Sequence, residues 1–429
     1  MAMLTRFFKS DFFYRYHRFL INWVIGPIFR MRVRFFPRKA VLYVGQSYYH
    51  AWYLSRSLRK RGWKADVLNW DFNPTSALFY HGEDLKFNID DDVEEHLTFY
   101  LRSLVEYDLF HFSNKGGIAF GFPLQKYFEN RFGLYYEIDV LRKLGKKIVY
   151  SHTGCLDGVS QTSFKKWGPH SVCAICPWRN QPDVCSDEDN LKWGCFRNEV
   201  SDYQCNIGGN RADYNLDPRV HEAPGFYCLD ADFWRPDLVI PERFRLHFPP
   251  GTIKLYHAVG NRESRTNENG VNIKSTHIYL PLIERLKREG YPVELLSYTN
   301  VPNKDVRFYQ AQADIVLDML TYGFFGANGR EAMMLGKPFV CFIRPEWLES
   351  MRDEIPEYVD ELPVVSATPE TVYEVLKDLL DHPEKRAEIG RRSREFAAKW
   401  HSSEAGAREF DRIYRSLLRG NPELRGDAR

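Results

Sequence analysis

Twice along the chain, a short apolar run of strand type gives way to a glycine turn, an amphipathic helix and another such run. This alternation constrains the fold more than any other feature. Strand, helix, strand closes into a βαβ unit whose two strands lie parallel. The first series begins at "AVLYVGQ" (Ala40–Gln46). Ser47 is the candidate N-cap of a helix carrying Ala51, Leu54 and Leu58 at i, i+3 and i+7, and Gly62 follows its basic "RKR" end. "ADVLNW", "DLFHFS" (Asp108–Ser113) and "KKIVYSHT" (Lys146–Thr153) supply three further strands. The second series runs from "TIKLYHAV" through a helix with Ile278, Leu282 and Leu286 on one face to "VELLSYT", "ADIVLDML", "FVCFI" and "PVVSA". Ala407, Phe410, Tyr414 and Leu417 form one stripe of the last helix.

Between the two series, residues 155–235 hold seven of the eight cysteines. A stretch that long without regular structure is uncommon in a compact domain, so it reads as a stapled insertion. Pro236, Pro241, Pro249 and Pro250 mark a linker over residues 236–251. With 429 residues there is room for two cores. The expected organisation is an arm at 1–39, an N-terminal Rossmann-like domain at 40–154, the cysteine-rich insertion, the linker and a C-terminal Rossmann-like domain at 252–400. A helix at 401–418 is expected to cross back to the N-terminal domain. The fold class is α/β, with two doubly wound parallel sheets facing a cleft, and such sheets bind ligands at the carboxyl ends of their strands.

Charge is informative only by region. Residues 1–39 hold nine Lys or Arg and one acid, a local +8, so the remainder carries 2 − 8 = −6. The arm interleaves that charge with Phe7, Phe8, Phe12, Phe13, Tyr14, Tyr16, Trp23 and Phe29, a composition suited to a helix lying on an anionic membrane. Its longest apolar run, "FLINWVIGPIF" (Phe19–Phe29), has eleven residues, short of the roughly 20 that span a bilayer. No small-residue cleavage site follows, so the expected location is the cytoplasm, peripheral on the inner face of the membrane. Cysteines clustered in a reducing compartment bind metal more often than they form disulfides. Cys173-x2-Cys176 with Cys185 has zinc-ligand spacing. Cys155, at the root of the insertion, is the preferred fourth ligand over Cys195 and His170, while Cys341 belongs to the core. Charge outside the arm does not favour extended contact with nucleic acid.

The stretch "FGANGREAMMLGKPFVC" (Phe325–Cys341) places Gly326 and Gly329 around the start of a helix with Glu331 in its first turn. An acid there complements the helix dipole, worth about 0.3–1 kcal/mol. The same turn also offers free N–H groups to a phosphate, with an acid beside them for a sugar hydroxyl.

Most of Thr252–Leu418, from "KLYHAVGNRESRTNENGVNIKS" through "ADIVLDMLTYGFFGANGREAMMLGKPFVCFI" to "EKRAEIGRRSREFAAKWHSSEAGAREFDRIYRSLL", resembles the donor-binding half of retaining glycosyltransferases of family 4. The N-terminal half matches at "VLYVGQS" and "LRKLGKKIVYSHTG". The resemblance implies the two-Rossmann GT-B fold and transfer of a sugar from a nucleotide donor to a glycan or lipid-linked glycan, with no metal needed for the chemistry. It assigns the diphosphate to the turn at Gly326, Ala327 and Asn328, to Arg262 and Lys274, and to the backbone at Gly45. It gives the ribose to Glu331 and the donor sugar to His152. One departure is plain: the family's second glutamate, eight residues before Glu331, is replaced by Gly323. The competing readings are a transferase for a small soluble acceptor and a non-enzymatic, zinc-stapled protein whose arm binds nucleic acid.

Overall fold

The computed structural model describes residues 2–45, 48–70, 77–88, 90–155, 157–168, 170–179, 181–206 and 211–420. The first sheet has seven strands: β1 (Ala40–Val44), β2 (Lys64–Asn69), β3 (Leu85–Lys86), β4 (Leu109–Ser113), β5 (Lys147–Ser151), β6 (Tyr203–Asn206) and β7 (Val220–Glu222). Their order is β3-β2-β1-β4-β5-β6-β7, and every pairing is parallel. β1 and β4 are buried along their whole length, as strands covered on both faces must be.

The second sheet holds β8 (Ile253–Val259), β9 (Val293–Thr299), β10 (Ile315–Leu317), β11 (Phe339–Cys341) and β12 (Val365–Ser366). Their order is β12-β11-β10-β8-β9, again all parallel. Both sheets are therefore doubly wound. Chain order reverses between β1 and β4 in one and between β8 and β10 in the other, and crevices at such points bind ligands.

One expectation needs correcting. Residues 155–235 do not stand apart from the sheet, because β6 and β7 lie inside them and extend it beyond β5. The helix Asp187–Val200 connects β5 to β6, with Trp193 buried against the same core as Tyr150. Aromatic and cysteine content hid an ordinary βαβ crossover. Ser47 lies outside the described residues. The helix it was to cap, Tyr49–Arg59, buries Ala51, Leu54 and Leu58.

The last helix, Ser403–Arg419, packs on the N-terminal domain. Tyr414 Oη meets Tyr43 Oη at 3.0 Å and His111 Nδ1 at 2.6 Å, and Trp63 Nε1 donates to Asp411 Oδ1 at 2.7 Å. The arm folds as three helices, Ala2–Lys9, Asp11–Phe19 and Gly26–Phe35, joined at the last step by a π-helical turn. Phe8, Phe13, Ile21 and Val33 are buried, whereas Trp23, Met31, Phe35 and Phe36 are each 63–75% exposed. Arg32 bonds the buried Asp108 at 2.5 Å, just ahead of β4, which fixes the arm to the amino edge of the sheet. No helix among the described residues is long and apolar enough to cross a membrane.

Candidate functional site

A cavity of about 390 Å³ opens between the two sheets at the carboxyl ends of their strands. The end of β4 contributes Ser113 and the next residue Asn114, the chain after β5 contributes Thr153, Gly154 and Cys155, and the end of β8 contributes Ala258, Val259 and the next residue Gly260. Tyr48 and His50 enter from the first helix of the N-terminal domain, and Gly326, Ala327 and Asn328 from the opposite side. Both sheets thus present their reversal points to one space.

Gly326 is the extended N-cap of the helix Ala327–Met334, and no side chain caps it. The N–H groups of that first turn have no partner within the helix and carry the positive end of its dipole. Lys274 stands beside them: a Cβ added at Gly326 would lie 3.7 Å from its Nζ. Burial pushes the Lys274 ammonium down from its ordinary pKa, and Asp318, 3.4 Å away, opposes that shift.

Glu331 lines the same cavity and is almost wholly buried. Tyr49 Oη (2.8 Å) and Asn303 Nδ2 (2.7 Å) donate to its Oε1, and Gln310 Nε2 (3.1 Å) donates to Oε2. Burial raises its pKa, while these donors and the neighbouring Arg330 pull the other way. Tyr49 comes from the N-terminal domain, so this one carboxylate ties the two domains together across the floor of the cleft. Asn328 accepts from the same Gln310 at 2.7 Å and leaves its own Nδ2 buried without a partner.

Other expected residues lie elsewhere. Arg262 is exposed and does not line the cavity; Arg265, three residues on, does. Gly45 does not line it either. Its φ is +76°, and a Cβ there would meet Trp70 Nε1 at 2.8 Å, so packing against Trp70 explains the glycine. Gly323, at φ +85°, leaves room for Arg344, whose Cβ would lie 2.7 Å from an added one.

His152 follows β5 but turns into the protein. Its Nδ1 meets Asn206 Oδ1 and its Nε2 meets Gln204 Oε1, both at 3.2 Å, and Arg197 abuts the same Nε2. Burial first, and the Arg197 charge second, hold the imidazole neutral by lowering its pKa well below the ordinary value. Arg197, fully buried, also donates to the Asp157 carbonyl at 3.0 Å and to Asn215. Asp157 in turn accepts from Thr153 N at 2.7 Å and from Trp193 Nε1 at 3.0 Å. His152 therefore supports the cavity rim at Thr153 rather than lining it.

The segment set aside as an insertion forms one wall of the cavity through Cys155, Val172, Cys176 and Trp178. Trp178 Nε1 reaches across to the Ser264 carbonyl at 2.9 Å. Burial, and then the nearby Cys173, Cys176 and Cys185, push the Cys155 thiol up; burial and Cys176 raise Cys173 to about 11. Cys185 Sγ accepts from Gln161 Nε2 at 3.3 Å and Asn190 Nδ2 at 3.7 Å. Among the described residues, no group of three or more His, Cys, Asp or Glu is arranged to hold a metal ion. The four cysteines lie near one another, each within electrostatic reach of the others along this wall.

Two doubly wound parallel sheets facing one cleft, with the last helix crossing back to the first domain, define the GT-B fold. Among solved structures the chain is similar to sucrose-phosphate synthase from Thermosynechococcus elongatus, at a TM-score of 0.51 and 14% identity, covering 89% of this chain and 100% of that one. It is also similar to Anabaena HepE in complex with UDP-glucose, at 0.51 and 11%, covering 88% and 99%. At such identities the likeness shows the fold alone. No protein-family model and no curated protein matches the chain.

Proposed function

We propose that the protein is a glycosyltransferase that moves a sugar from a nucleoside-diphosphate donor to a glycan or lipid-linked glycan. One observation carries this reading: an uncapped helix N-terminus, a half-buried lysine and a buried glutamate meet in a single cavity between the sheets. The N–H groups at Ala327 and Asn328 would hold the diphosphate, with Lys274 and Arg265 beside it. Charge developing on the departing diphosphate would then be met by dipoles and cations already in place. Glu331 has capacity for about four hydrogen bonds, and three donors occupy it, which leaves an acceptor for a ribose hydroxyl. Membership of family 4 and retention of configuration rest on the sequence resemblance.

A thermal-shift panel of nucleotides and nucleotide sugars tests the reading. One diphosphate nucleotide should raise the melting temperature selectively, since a ligand that binds only the folded state stabilises it in proportion to RT ln(1 + [L]/Kd). No shift with any nucleotide at millimolar concentration would sink it.

The arm supports a membrane-associated acceptor. Its exposed Trp23, Met31, Phe35 and Phe36 stand among Arg30, Arg34 and Arg38, a match for an anionic lipid surface. Deleting residues 1–38 should release the protein from anionic vesicles, and unchanged binding would return the acceptor to the soluble class.

A further inference from the structure

Arg330 is 3% exposed, lines the cavity, and makes no ion pair and no side-chain hydrogen bond among the described residues. Its Nε is buried without an acceptor. The guanidinium lies 5.1 Å from the Tyr227 ring and 6.0 Å from that of Phe324, and faces contribute only part of what a desolvated cation loses. A buried charge left without an anion or hydrogen-bond acceptors is costly. The helix dipole adds to that cost, because a cation in the first turn meets the positive pole.

Nearby acids are already engaged. Glu331 is held by Tyr49, Asn303 and Gln310. Glu222, across a small adjoining void that Arg330 also lines, pairs with Arg211 at 3.4 Å and accepts from Asn206 Nδ2 at 2.8 Å. His50 and His401 are neutral, held so by burial and by Arg330 itself. The site therefore holds a buried, unpaired cation and opens toward the cavity.

We infer that Arg330 binds an oxyanion, a carboxylate or phosphate, carried on the sugar part of a substrate and separate from the donor diphosphate. This deepens the glycosyl-transfer reading and rests on it for the identity of the ligand. The diphosphate belongs at the N-cap, where Gly326 and Lys274 stand; Arg330 is one turn further in, against Tyr227 of the N-terminal domain. Its planar fork suits bidentate recognition of such a group. The enzyme would accordingly act on an acidic sugar, either as the donor residue or on the acceptor.

The full-length chain and its Arg330→Met and Arg330→Lys variants distinguish these sources. One arm compares nucleotide hexoses with nucleotide uronates of the same base, such as UDP-glucose with UDP-glucuronate. The other titrates glucuronate and glucose 6-phosphate, with and without saturating nucleoside diphosphate. In one arm, the acidic ligand should bind wild type at least tenfold tighter than its neutral counterpart. Arg330→Met should abolish that preference while nucleoside-diphosphate affinity stays within about twofold, and Arg330→Lys should retain part of it. The ligand-free Arg330→Met protein should melt no lower than wild type, since an apolar chain of similar length removes an unpaired charge. No acidic preference in either arm overturns the inference. So does a parallel fall in diphosphate affinity, which would place Arg330 in the diphosphate cradle. Arg330-dependent binding of glucose 6-phosphate in a protein that binds no nucleotide would keep the anion site and remove the glycosyl-transfer reading.

Discussion

His152 and Glu331 are equally hidden, 1% and 3% exposed, and each is held by three polar partners. Both stand where a strand or turn meets the space between the domains. Yet Glu331 borders the cavity and His152 does not. The difference lies in direction. Successive residues leaving a strand point to opposite sides, so Thr153 reaches the cavity while His152 turns back among Arg197, Gln204 and Asn206. On the other side, Arg330 and Glu331 diverge by about 100° around their helix. Neighbours in sequence therefore present their side chains to different parts of the cavity. Strand-end placement alone does not make a residue part of a site.

The comparison would break first at Arg197. That guanidinium joins His152, Gln204, Asn215 and the Asp157 carbonyl in one buried network. Arg197→Met roughly keeps the volume but strands four buried acceptors. Breaking such a buried cluster costs about 3–5 kcal/mol, and chemical denaturation should register a loss of that size. If the His152 region only supports the rim, nucleoside-diphosphate affinity in the folded fraction should change little. A fully stable Arg197→Met protein would show that the network does not hold the fold.

The contrast also marks what the sequence could disclose. The two-sheet architecture was legible because period and glycine placement are local properties. β1, β4, β5 and β8 to β12 fall within the apolar runs that announce them, and β2 starts one residue ahead of its run. β6 and β7 were not legible: "YQCN" and "VHE" are short and carry polar residues that bond within the sheet layer, as Gln204 does to His152. Arg262 precedes and Arg265 ends the same short 3-10 turn, and only its geometry decides that Arg265 faces the cavity. Arg330 did leave a signal in "GRE", since a cation in a first helical turn opposes the dipole and calls for a reason. Tyr49 and His50 left none, because nothing local says that a helix's first residues will reach another domain.

The finer test falls on Glu331. Two accounts of this acid compete, helix-dipole complement and ribose acceptor. Contrary to the sequence expectation, Glu331 is the fifth residue of the helix Ala327–Met334 and lies past its first turn, which weakens the first account. If it served the dipole alone, Glu331→Ala would cost under about 1 kcal/mol of stability and leave nucleotide binding intact. As the acceptor in the cavity, it should contribute one hydrogen bond to a ribose hydroxyl, worth roughly 1.5–3 kcal/mol because the acceptor is charged. Glu331→Ala should then weaken the donor and its free nucleoside diphosphate alike, by about tenfold or more. Stability should fall as well, because Tyr49, Asn303 and Gln310 lose the acceptor they share. Glu331→Gln should fall between wild type and Ala. Its amide oxygen can still accept, but its NH2 group would face a donor at one of the three positions. Calorimetric titration of the nucleotide and a denaturation curve on both variants give the two quantities independently. A Glu331→Ala protein that loses stability but binds the nucleotide as tightly as wild type would make Glu331 the counterpart of His152: a buried group that holds the cleft together and touches nothing in it.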